Sequence, residues 1–219
     1  MHSRPLRLLF QGDSITEAFR RPEELNPAYQ LGNGYVLLIA SALASEFPSR
    51  FEFVNRGISG HTVADLSLRW NQDALALAPD SLSLLVGVNS TIRAMIGEED
   101  VSLAEFQKGY RNLLQRVLEA NPATSLILVE PFLLVAGDVN EKWRKHLSAR
   151  REVVRHLAQE FQAVFVASQK AFDEAAARAP GSFWAYDGIH PTHAGAAVLA
   201  QAWLDAARPT LEGFFIRER

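Results

Sequence analysis

The chain has 219 residues, of which 48% are apolar and 21% charged, with a net charge of −3 and no cysteine. These values suit one full hydrophobic core, so a single domain over 1–219 is expected; they exclude global disorder, disulfides, thiolate nucleophiles and cysteine-held zinc. No basic excess points to nucleic acid or an anionic membrane, and the longest apolar run, Tyr35–Ala44, is about half of what a bilayer span needs.

The first segment places Arg4 and Arg7 around a short apolar run that leads directly into Gly12-Asp13-Ser14. A secretory signal needs a longer apolar region and a small-residue cleavage site, so the run reads as a buried strand and the expected location is the cytoplasm. Strands are predicted at Leu6–Gln11, Phe51–Asn55, Ser81–Val86, Ser125–Glu130 and Ala163–Val166. They are short and not strictly alternating, as central strands covered on both faces tend to be. Ser102 and Glu105 form a capping box for a helix whose face carries Phe106, Tyr110, Leu113, Leu114 and Val117, stopped at Asn121-Pro122. A second helix shows Trp143, Leu147, Val154, Leu157 and Phe161 at helical spacing. Its Arg144, Lys145, Arg150, Arg151 and Arg155, interleaved with acids, read as a solvated face. Thr192 caps a last helix expected to end at Pro209, and the tail beyond it carries Phe214, Phe215 and Ile216, which predict packing at a subunit interface and hence a homo-oligomer.

Strand–helix alternation five times over predicts an α/β protein: a three-layer α/β/α arrangement on a five-stranded parallel, flavodoxin-like sheet ordered 2-1-3-4-5. Ligand sites in such sheets lie at the carboxyl ends of the strands. Four pieces fall there: Gly12-Asp13-Ser14 after strand 1, Asn55-Arg56-Gly57 after strand 2, Gly87-Val88-Asn89 after strand 3, and Asp187-Gly188-Ile189-His190 before the last helix. Together they suit acyl transfer from an ester. The Ser14 hydroxyl becomes a nucleophile only beside a base; His190 can be that base, and Asp187, three residues earlier, can fix its tautomer. The backbone N–H groups of Ser14 and Gly57 and the amide of Asn89 are candidate donors to the oxyanion. Read alone, Ser14 also fits a helix cap. Asp13 reads as a turn-stabilising carboxylate or a second acid at the substrate side. Phe183, Trp184 and Tyr186 read as a substrate wall or as packing of their loop. No histidines and carboxylates stand at metal-ligand spacing, so neither metal nor cofactor is expected.

These blocks resemble the signature blocks of the SGNH, or GDSL, hydrolases over nearly the whole chain. The resemblance implies Ser14 as nucleophile, Gly57 and Asn89 in the oxyanion hole, and Asp187 and His190 completing a triad on that family's fold. The segments Leu31–Tyr35, Val54–Val63, Arg69-Trp70 and Trp184–Pro191 are similar to a subgroup of intracellular bacterial acetylxylan esterases. That implies removal of acetyl groups from acetylated xylo-oligosaccharides, with Asp13, Tyr35, Trp184 and Tyr186 as substrate-side candidates. Ser90 stands where the family pattern has Asp: either its hydroxyl caps the turn that follows, or Asn89 is held less firmly and catalysis is weakened. The same mechanism on other substrates, as in a lysophospholipase, thioesterase or short-chain esterase, is the alternative. A flavodoxin-like binding module fits poorly, because the loop after strand 1 offers an acid where a phosphate cradle is needed.

Overall fold

The computed structural model describes residues 4–99 and 101–216. Five parallel strands, β1 (Leu6–Gly12), β2 (Phe51–Asn55), β3 (Ser81–Leu85), β4 (Ser125–Val129) and β5 (Val164–Val166), form one sheet in the order β2-β1-β3-β4-β5. This is the predicted topology. β1 runs one residue further than expected, β3 and β4 stop one residue earlier, and β5 starts one residue later. The helices are α1 (Ser14–Glu17), α2 (Pro27–Gln30), α3 (Tyr35–Glu46), α4 (Val63–Asp73), α5 (Val88–Met95), α6 (Leu103–Ala120), α7 (Glu141–Glu160), α8 (Ser168–Ala176), α9 (Gly181–Trp184) and α10 (His193–Ile216).

Successive strand residues point to opposite faces, which divides the core in two. Leu8, Phe10, Ile127, Val129 and Val166 pack with Ile39 and Leu43 of α3, Phe172 of α8 and Leu199 and Trp203 of α10. Leu9, Leu82, Leu84, Leu126 and Leu128 pack with Trp70 of α4, Tyr110 and Leu113 of α6 and Leu157 of α7. The buried indoles satisfy their own donors: Trp203 Nε1 donates to Ser83 Oγ at 2.9 Å and Trp70 Nε1 to the Leu113 carbonyl at 3.1 Å. The serine within β3 thus answers a polar atom carried into the core by a large ring.

Two sequence expectations are corrected. α10 continues through Pro209, although an internal proline removes a helix hydrogen bond and costs about 3 kcal/mol. Packing on both sides of it offsets that cost: Ala207 and Leu211 are buried in the core, and Arg208 pairs with Glu46 of α3. The basic face of α7 is only partly solvated. Arg150 is buried, its guanidinium donating to the Val101 carbonyl at 2.7 Å, and Arg151 reaches the buried Glu130 at 2.9 Å. The capping box at Ser102 and Glu105 forms as read from the sequence, and the helix ends at Ala120, before Asn121. The interface expected at Phe214, Phe215 and Ile216 concerns side chains outside the described residues. Among the described residues no helix is long and apolar enough to cross a membrane.

Candidate active site

β1 ends at Gly12 because nothing larger fits: a Cβ there would lie 2.3 Å from the Leu85 carbonyl and 2.4 Å from Thr16 Oγ1. Asp13 then caps α1, its Oδ1 accepting from the Ile15 N–H at 3.1 Å, and Ser14 takes the first helical position. The Ser14 hydroxyl therefore leaves the sheet rim at its carboxyl end. The loop before α10 is wound on Asp187, whose Oδ1 accepts from the N–H of Ile189 at 2.9 Å and of His190 at 2.7 Å. Gly188 anchors that loop; its carbonyl accepts from the Leu134 N–H at 2.9 Å, and at φ 86 its backbone sits in the left-handed region that favours glycine. The three side chains converge. Ser14 Oγ lies 2.8 Å from His190 Nε2, and His190 Nδ1 lies 2.7 Å from Asp187 Oδ2. Burial pushes the Asp187 carboxyl up, but the N–H groups of His190 and Ile189 and the His190 ring outweigh it and hold it below its ordinary value. Such a chain can move a proton from a hydroxyl to an imidazole while a carboxylate steadies the imidazolium.

The loop after β2 departs from expectation. The Gly57 N–H is engaged by Asn55 Oδ1 at 2.9 Å, so it is not the oxyanion donor expected of it. Glycine stands at 57 for packing: a Cβ would meet the Glu17 nitrogen at 2.3 Å. Asn55 is the organiser that sequence reading overlooked. It is buried, and its Nδ2 donates to the carbonyls of Thr16 at 2.6 Å and Leu31 at 2.8 Å, tying three segments together. Further along the same loop the Gly60 carbonyl accepts from Arg93 at 3.3 Å, and the Gly60 N–H bonds to no described residue. Asn89, in the first turn of α5, donates through Nδ2 to the His61 carbonyl at 3.0 Å, which leaves its second amide hydrogen available. Ser90 does not cap a turn. It is buried inside α5, and the cap position is Gly87, which makes no side-chain bond.

Ser14 and His190 open onto a pocket of 580 Å³, within the range of small-molecule sites. Tyr186 lines it, 61% exposed and stacked on the His190 ring at 5.9 Å between centroids and 18° between planes. Tyr35 also lines it; its ring is buried and its hydroxyl sits 3.0 Å from Thr16 Oγ1. Trp184 is a correction: it is buried in the core, with Nε1 donating to the Ala179 carbonyl at 3.2 Å, because the apolar body of an indole beside a loop is better covered than presented. Glu17, Phe19 and Asn33 also line the pocket and were not singled out from the sequence. Phe19 and the preceding Ala18 have φ values of 58 and 45, a left-handed conformation that costs an L-residue about 1–2 kcal/mol. Among the described residues no group of three His, Asp or Glu side chains could hold a metal ion.

Asp13 is a correction too. It is fully buried, away from the pocket lining, and its Oδ2 has no hydrogen-bond partner among the described residues. Burial pushes its carboxyl up to about 7, against the Ile15 N–H and His190, which pull it down. A pKa raised on folding stabilises the folded chain fully below the ordinary carboxyl value and loses that contribution as pH rises through about 7. Asp13→Asn, which matches the neutral acid in shape, is therefore expected to gain stability over wild type as pH rises from 4 to 7, by a few kcal/mol, and to hold the gain above that. Melting temperatures of both proteins across that range check it; a constant difference would place the carboxyl's titration elsewhere.

Comparisons with known proteins identify the family and the fold. The model of the GDSL-like lipase/acylhydrolase family matches residues 10–198, and the chain belongs to that family. It is accordingly a carboxylic ester hydrolase of the serine esterase type. An acetylxylan esterase of Geobacillus stearothermophilus is 37% identical over 205 residues, covering 90% of this chain and 92% of that protein. A crystal structure of an acetylxylan esterase from the same organism superposes with a TM-score of 0.82 at 34% identity, covering 94% of this chain and 96% of that one. A putative GDSL-like lipase from Parabacteroides merdae gives a TM-score of 0.88 at 36% identity over 93% of this chain and 95% of that one.

Proposed function

We propose that this esterase removes O-acetyl groups from short xylo-oligosaccharides or related acetylated carbohydrates through an acetyl-Ser14 intermediate, in the cytoplasm, in keeping with a chain that has no cysteine. His190 Nε2 takes the Ser14 proton as Oγ bonds to the ester carbon. The carbonyl oxygen, now an anion, is held by the Ser14 N–H, the second amide hydrogen of Asn89 and the Gly60 N–H. The tetrahedral adduct collapses, the bond to the sugar oxygen breaks, and His190 returns its proton to that oxygen. A water then gives its proton to His190 and attacks the acetyl group; His190 passes that proton to Ser14 Oγ as its bond to the acyl carbon breaks, releasing acetate and restoring Ser14. Asp187 keeps the His190 ring oriented throughout.

The observation that carries this reading is the Ser14–His190–Asp187 chain, at 2.8 and 2.7 Å, opening on a pocket of 580 Å³. An acetyl group needs far less room, so the remaining space belongs to the alcohol. Its lining mixes aromatic rings with Glu17, Asn33 and His193, which suits a ring carrying hydroxyls better than a long acyl chain. The resemblance in sequence and structure to acetylxylan esterases supports the same choice.

The purified protein should release acetate from acetylated xylo-oligosaccharides faster than from chitin oligomers, and should favour acetyl over longer acyl chains on an aryl ester. Each extra methylene that the pocket fits is worth about 0.8 kcal/mol, so a rising series with chain length would transfer the assignment to a lipase-type substrate.

A further inference from the structure

We propose that Phe19 is the platform on which the sugar ring of the leaving group lies, and so a specificity-determining residue of this pocket; the inference rests on the carbohydrate reading above. Phe19 is 82% exposed, whereas Phe10, Phe106, Phe132 and Phe172 are fully buried. Its ring therefore adds little to the core. Its backbone is left-handed, with φ 58, a region where glycine carries no steric penalty and phenylalanine does. A bulky residue kept at such a position, exposed, and at the mouth of the pocket that holds Ser14 and His190, is there for contact with something outside the chain.

The ring's attachment is rigid. The Ala18 carbonyl accepts from the Asn33 N–H at 2.8 Å, and the Arg20 N–H donates to the Glu17 carbonyl at 3.0 Å. Arg20 Nε donates to the Gly57 carbonyl at 2.8 Å. On the other side Gly32 and Gly34 approach so closely that a Cβ on either would lie 2.6 Å from an Ala18 atom. The Phe19 backbone is thus held between two pinned neighbours, so a bound sugar does not have to order the loop that carries the ring. Tyr186 already stacks on His190, which leaves Phe19 as the more open aromatic surface of the pocket. Glu17 and Asn33, beside it in the lining, supply an acceptor and an amide for the hydroxyls at the edge of a pyranose whose C–H face lies on the ring.

The test compares kcat/KM for acetate release from acetylated xylotriose with that from ethyl acetate, which carries the same acetyl group and no ring. In Phe19→Ala and Phe19→Gly the ratio of the two constants is expected to fall about tenfold, mainly through KM for the sugar, and in Phe19→Tyr to stay near wild type. The melting temperature of Phe19→Gly should equal or exceed that of wild type, since glycine relieves the left-handed strain; this separates lost binding from unfolding. An unchanged ratio, an equal loss on both esters, or a change of solution mass by light scattering without a change in the ratio would each overturn the assignment, the last in favour of an interface between copies. Wild type that releases acetate from ethyl acetate and not from xylotriose would instead overturn the carbohydrate reading, and Phe19's role with it.

Discussion

Replacing Ser14 by alanine is expected to lower kcat for ester hydrolysis by roughly 10⁶, the size of loss seen when the nucleophile of a serine hydrolase is removed. The fold should be nearly indifferent. The hydrogen bond found for Ser14 Oγ is the one to His190 Nε2, and the cap of α1 is the neighbouring Asp13, so the substitution leaves the helix start intact. Melting temperature and circular dichroism should match wild type while acetate release disappears. Mass spectrometry after a rapid quench should find one added acetyl group on the wild-type chain and none on the variant. Activity comparable to wild type in the variant would remove Ser14 from the mechanism and leave His190 acting directly on water.

The fold was legible in the sequence because the signals for it are local. Apolar runs such as Leu82–Leu85 are too short for a helix and too apolar for an edge strand, and those of the first three strands run into a glycine or an asparagine. Of the site residues, Ser14, Asp187 and His190 stand in short contexts whose turns already bring them to the rim. What failed were inferences from residue type without geometry. Trp184 sits next to the rim in sequence, yet an indole gains more from burial than from presentation, and it turned inward. Gly57 was read as a donor, although the Asn55-Arg56-Gly57 run is also an Asx-turn pattern in which the asparagine oxygen captures the N–H two residues on. That signal was present and outweighed by the motif. Phe19 carried no signal at all. Its left-handed backbone lies next to Ala18, which Gly32 and Gly34, distant in sequence, approach closely, and no local propensity announces it.

Asp187→Asn is expected to lower kcat by about 10⁴ with a fold close to wild type. The reason is a reversal of one hydrogen bond. Asparagine can still accept from the N–H groups of Ile189 and His190 through Oδ1, so the loop before α10 keeps its shape. At the other position an amide donates where the carboxylate accepted. His190 Nδ1, 2.7 Å away, must then carry the lone pair, and the ring proton moves to Nε2, the nitrogen that faces Ser14 Oγ at 2.8 Å. A protonated Nε2 cannot accept the serine proton, and the carboxylate that balanced the imidazolium is gone. The stability effect has a definite sign as well. Asp187 titrates below its ordinary value in the folded chain, so its carboxylate stabilises the native state at neutral pH, and that contribution is lost as pH falls through the acid range below about 4. Melting temperatures of wild type and Asp187→Asn should therefore differ at pH 7 and converge toward pH 3. Asp187→Ala, which also drops the two backbone bonds, should be the less stable of the two variants at every pH. An Asn variant with wild-type kcat would mean that His190 takes the proton from Ser14 without help from position 187, and the loop's role would reduce to holding the histidine in place.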